Sequence, residues 1–64
     1  MLKISLAAAR VNAGFTQEEV SKKMRKSKQT IVNWENGRTS IDPANLKALA
    51  ELYSISVDNI RLKA

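Results

Sequence analysis

The sequence contains neither cysteine nor histidine, and it has only two glycines and one proline. Without cysteine no disulfide framework can form, and without both residue types the usual ligands of a zinc site are missing. Two glycines are also too few for a glycine-rich phosphate loop, and no nucleophile is placed beside a base. We therefore expect apolar interactions alone to hold the fold, with no metal, no cofactor, no small-molecule substrate and no catalytic residue. An enzyme is the least expected class.

Long hydrophobic runs are missing as well. The apolar start of the chain is broken by Lys3 and Arg10, is too short to span a membrane and has no obvious secretory cleavage site. The expected location is therefore the cytoplasm, with no membrane contact. A chain of 64 residues leaves room for one domain, so we expect a single domain over residues 1–64.

Acidic residues are scarce where basic residues concentrate. The segment 22–38 has a net charge of +5, which equals that of the whole chain, because its only acid is Glu35. Its basic residues are Lys22, Lys23, Arg25, Lys26, Lys28 and Arg38. Such a run forms either a solvated charged face or a phosphate-binding surface, and charge alone does not decide between them.

Local signals for helix starts are abundant. Thr16 followed three residues later by Glu19 predicts a capping box, and Phe15 and Val20 occupy the positions of a hydrophobic staple. Asp42, followed by Pro43 at the first helical position, predicts a second start. Ser56 predicts a third, and Ser27 can cap another.

The sequence predicts a compact all-α fold of five helices, since no window shows the alternation of a strand. We expect these helices from near Ser5 to Asn12 or Ala13, from Gln17 to Met24, from Lys28 to Asn36, from Asp42 to Tyr53 and from Val57 to Arg61.

The second and third helices are separated by about three residues, which forces a steep crossing and predicts a helix-turn-helix. On the third helix, Ile31 and Trp34 point toward the core. The opposite arc holds Lys28, Gln29, Val32 and Asn33, with Thr30 at its margin. Ammonium and amide groups can read base edges in a major groove, and Val32 could touch a thymine methyl group.

These residues carry a family resemblance. Arg10, Gly14, the run from Phe15 to Val20 and the run from Ile31 to Arg38 resemble the lambda-repressor-like, Cro/C1-type (XRE family) helix-turn-helix domains over nearly the whole chain. The resemblance implies a five-helix DNA-binding domain of a transcriptional regulator, such as a prophage repressor or a Cro-like protein. It also implies a homodimer on a palindromic double-stranded operator.

Matched position by position, the resemblance implies base contacts by Lys28, Gln29 and Asn33, with Thr30 and Val32 as neighbours. It implies phosphate contacts by Thr16, Gln17, Asn36 and Arg38, and a structural salt bridge between Arg10 and Glu35. Arg25 departs from the pattern because it stands where the family usually has a glycine with positive φ. Arginine there costs about 1 kcal/mol if it adopts that conformation, and it could add a phosphate contact.

The sequence is also compatible with other functions. Within the same class, the chain could be the antitoxin of a toxin–antitoxin pair, which binds both DNA and a protein. From another class, it could be a helical interaction module whose basic face docks on an acidic partner. The apolar residues near the C-terminus could close the core through Ile55 and Ile60, and Leu62 could contact a second subunit.

Overall fold

The computed structural model describes residues 3–62, so residues 1, 2, 63 and 64 lie outside the description below. In chain order the elements are β1 (Ile4–Ser5), α1 (Leu6–Asn12), α2 (Gln17–Met24), α3 (Lys28–Asn36), α4 (Pro43–Leu52), a 3₁₀ turn (Val57–Asn59) and β2 (Ile60–Arg61).

Side-chain caps fix where the helices start. At α2, the amide of Glu19 donates to Thr16 Oγ1 over 3.1 Å while the amide of Thr16 donates to Glu19 Oε1 over 2.9 Å. This closed capping box satisfies two amides that the helix itself leaves free. The hydroxyl of Ser27 accepts from the amide of Thr30 at the start of α3, and Asp42 caps α4. Gly37, with φ of 75°, ends α3 in the left-handed conformation that glycine adopts without strain.

One hydrophobic cluster joins all four helices and the C-terminal strand. Val20 of α2, Ile31 of α3 and Leu49 of α4 have the largest side chains among those that are fully enclosed. Around them lie the buried residues Leu6, Ala9, Trp34, Ala50, Tyr53 and Ile60. Partly buried residues, among them Phe15, Met24, Leu46 and Ile55, complete the cluster. The core thus holds α3 by one side only.

The predicted fifth helix from Val57 to Arg61 is wrong. Ser56 does cap this segment, but the cap starts only the three-residue 3₁₀ turn. The chain then becomes extended because Ile60 pairs in parallel with Ile4, and Arg61 with Ser5. Four α-helices are found in residues 3–62 rather than five, and the short parallel pair of strands joins the two ends of the described chain.

Candidate nucleic-acid interface

The turn between α2 and α3 confirms the helix-turn-helix predicted from the sequence. Arg25 adopts the left-handed conformation, with φ of 55° and ψ of 42°. The amide of Lys26 then donates to the carbonyl of Ser21 over 2.9 Å, which closes the end of α2. Ser21 is buried, and its hydroxyl donates to the carbonyl of Glu18 over 2.7 Å. The small side chain lets the two helices approach without leaving a buried hydroxyl unsatisfied.

The orientation of α3 separates its two faces. Ile31, Trp34 and Glu35 are buried. Of the residues expected to contact bases, Gln29 and Asn33 lie opposite that buried side by helical spacing. Lys28 and Gln29 are exposed, and Thr30, Val32 and Asn33 are half-buried. The helix is therefore anchored through its buried side, displays the amides of Gln29 and Asn33 on the other, and exposes the ammonium group of Lys28 at its first residue.

Two hydrogen-bonded pairs of polar side chains lie along this open face of α3. Gln29 Nε2 donates to Asn33 Oδ1 over 2.9 Å, one helical turn away. The hydroxyls of Ser27 and Thr30 lie 2.9 Å apart at the start of the helix. These bonds restrict the orientation of the groups that α3 presents.

The positive charge of segment 22–38 is all at the surface. Its six basic side chains are exposed, whereas Glu35 is buried. Glu35 is neutralised by α1, because Arg10 Nε lies 2.8 Å from Glu35 Oε2. The exposed surface of this segment consequently carries basic side chains and no carboxylate, which is the electrostatic arrangement of a phosphate-binding surface.

The Arg10–Glu35 ion pair extends to the start of α2. Gln17 Nε2 donates to Glu35 Oε1 over 2.9 Å, and Arg10 Nη1 donates to the carbonyl of Phe15 over 2.9 Å. One buried carboxylate thus links α1, α2 and α3. No local sequence pattern predicts the hydrogen bond from Gln17 to Glu35, because the two residues are 18 positions apart.

An open groove runs between the start of α2 and the start of α3. Its lining consists of Arg10, Phe15, Thr16, Gln17, Glu18 and Lys28. Thr16 is exposed and Gln17 is half-buried, so both can be reached from this groove. At the other end of α3, its last residue, Asn36, and the following Arg38 are exposed. The side chains expected to contact phosphates therefore flank α3 at both of its ends.

Hydrogen bonds shift the pKa of Glu19, and burial shifts the pKa of Tyr53. The backbone N–H of Thr16 is the main cause that lowers the pKa of Glu19, and the hydroxyl of Thr16 adds to it. Burial raises the pKa of Tyr53 to about 12, and the negative charge of Glu35 acts in the same direction. At neutral pH the cap is therefore charged and the phenol is neutral.

The fold and this surface define a helix-turn-helix protein. A family model described as Helix-turn-helix, of the Cro/C1 (XRE) type, matches residues 6–60. The chain belongs to this family, which confirms the resemblance seen in the sequence. The comparison with curated proteins found no match.

Membership supports binding to double-stranded DNA and a role in regulating transcription, and proteins of this family are typically not enzymes. In the described part of the chain, no helix is both long and apolar enough to cross a membrane.

Proposed function

We propose that this protein is a sequence-specific repressor of the prophage or Cro-like type that inserts α3, from Lys28 to Asn36, into the major groove of its operator. The observation that carries the proposal is the orientation of α3, which is held from its apolar side and leaves its polar side open. A repressor occupies its operator and so blocks other proteins from the same DNA.

Base recognition would come from the open side of α3. The ammonium group of Lys28 can donate to O6 and N7 of guanine, and the amides of Gln29 and Asn33 can bond to the major-groove edges of bases. Thr30 and Val32 would add contacts at the margin, including one to a thymine methyl group. The exposure of Lys28 and Gln29 supports this assignment.

Phosphate contacts would position α3 in the groove. Thr16 and Gln17 lie at the start of α2, where free amides and the helix dipole favour an anion. Gln17 gives one N–H to Glu35 and retains a second for a phosphate oxygen. Asn36 and Arg38 would bind phosphates at the C-terminal end of α3, and Arg25 would bind one at the turn.

A homodimer on a palindromic operator would present two copies of α3 to two half-sites. Leu62 supports this proposal because it is an apolar side chain whose surface is 43% exposed. Val57, in the same C-terminal segment, is 38% exposed. A second copy related by two-fold symmetry would cover these side chains.

The test is selection of bound duplexes from a random pool. Enrichment of a palindrome whose half-sites lie about one helical turn apart would support both the repressor and the dimer. Enrichment of one unrepeated half-site would support DNA reading by a monomer. Failure to enrich any sequence would refute sequence-specific binding.

A further inference from the structure

We infer that Gln29 and Asn33 read DNA as one linked unit, and that the link gives the two amides different base preferences. The inference rests on the proposed function, because it requires α3 to face base edges. Its basis is the bond from Gln29 Nε2 to Asn33 Oδ1, which joins the two side chains over 2.9 Å on the open face of α3.

The two residues are placed to meet neighbouring base pairs rather than one base. The amide groups are joined over 2.9 Å, which is close to the spacing of about 3.4 Å between successive bases of one strand. Gln29 is exposed and Asn33 is half-buried, so the side chain of Gln29 is the more accessible of the two.

The link uses different atoms of the two amides. Each amide has one carbonyl oxygen and two N–H donors. Gln29 donates one N–H to Asn33 and retains its oxygen and its other N–H. An oxygen and an N–H together can bond to N6 and N7 of adenine. Asn33 has its oxygen turned toward Gln29, so it offers two donors. Those donors match O6 and N7 of guanine, which are both acceptors.

Two independent amides would each favour adenine, because only adenine pairs with the donor and the acceptor of an amide together. The linked pair should instead select adenine opposite Gln29 and guanine opposite Asn33. The operator is thereby assigned a specific chemistry at two neighbouring positions: a donor and an acceptor at the first, and two acceptors at the second.

The experiment compares selected duplexes for the natural protein, Gln29→Ala and a control, Lys47→Ala. Lys47 is exposed on α4, a helix that carries none of the residues proposed to contact DNA. Alanine at position 29 removes the link and favours the helix, and the fluorescence of the single tryptophan, Trp34, verifies that the variant is folded. We expect Gln29→Ala to lose the adenine preference. At the other position, Asn33 is then free to bond adenine, so the ratio of adenine to guanine should rise on the order of tenfold. Lys47→Ala should preserve both preferences.

Asn33→Asp provides a second variant. The carboxylate still accepts from Gln29, but it cannot donate, so guanine should be replaced by cytosine, whose N4 donates. Adenine opposite Gln29 should be retained.

An unchanged guanine preference in Gln29→Ala, or selection of adenine at both positions by the natural protein, would show that the link does not determine base preference. Either result would leave the proposed DNA binding intact. If the natural protein enriched no sequence, both the inference about Gln29 and Asn33 and the proposed function would be refuted.

Discussion

Glu35 of α3 holds Arg10 of α1 in an ion pair whose closest atoms are 2.8 Å apart, and the two side chains are 5% and 14% exposed. The same carboxylate binds Gln17 of α2. Three helices are therefore joined through one carboxylate that water barely reaches, and we expect the ion pair to hold the surface beside it in place.

Replacing Arg10 by methionine should destabilise the protein by about 3 kcal/mol, because Glu35 would stay buried without its cation. Urea unfolding followed by Trp34 fluorescence measures this loss. Adding Glu35→Leu should restore part of the stability, since the double variant buries no unpaired charge. Lys47→Met, at an exposed position, is the control and should change the free energy of unfolding by less than about 0.5 kcal/mol. A loss for Arg10→Met as small as that of the control would contradict the role of the ion pair.

Arg25 and Ser54 both have positive φ, of 55° and 56°. Replacing either by glycine should stabilise the fold by about 1 kcal/mol, because glycine adopts this conformation without the strain of a Cβ atom. Their effects on DNA binding should differ. Arg25→Gly should also reduce the salt slope of binding by about 1, as expected for one lost phosphate contact, whereas Ser54→Gly should leave the slope unchanged. Equal slopes for the two variants would exclude a phosphate contact by Arg25.

Tyr53 should make stability depend on alkaline pH. Burial raises its pKa to about 12 in the folded protein, above its ordinary value of 10.0, so the unfolded chain loses the phenolic proton first. The contribution of this group is fully present below pH 10 and declines as the pH rises toward 12. Because Tyr53 is the only tyrosine, the ultraviolet absorbance of tyrosinate reports its titration directly. Titration near pH 10 while the protein is still folded would refute the burial effect, and Tyr53→Phe should remove this part of the pH dependence.

Leu62→Asp should weaken pairing of two copies on DNA while leaving the fold intact, because Leu62 is 43% exposed. Val11→Asp is the matched control: Val11 is 62% exposed on α1 and is not expected at the dimer contact. Binding to duplexes with one and with two half-sites separates the effects. Leu62→Asp should lose only the additional affinity for two half-sites. If both variants behave like the natural protein, the dimer contact lies elsewhere.

Local chemistry explains why the helix-turn-helix could be predicted so closely. The bounds of α2 and α3 agree with the sequence prediction, because Thr16 and Ser27 cap their starts and Gly37 ends α3. Each signal acts within a few residues. The same holds for the inward side of α3, where Ile31 and Trp34 follow helical spacing.

Features that depend on distant parts of the chain were not predictable in this way. The cap at Ser56 indicated a helix, but pairing of Ile60 with Ile4 draws the chain into a strand across 56 positions. The bond from Gln17 to Glu35 likewise requires the helices to be already assembled. The bond between Gln29 and Asn33 is different: their spacing of four residues is a helical signal that could have indicated it.

Binding of the phosphates and bases of duplex DNA by the basic, amide-bearing surface around α3 is the claim on which the proposed function rests. Its most direct test is the salt dependence of affinity for the selected duplex and for a scrambled one, measured by fluorescence anisotropy. For the selected duplex we expect log K to fall linearly with log salt, with a slope of about −0.9 for each phosphate contacted. We also expect the selected duplex to bind on the order of a thousandfold or more tighter than the scrambled one. Binding that is undetectable, insensitive to salt or equal for the two duplexes would contradict the claim.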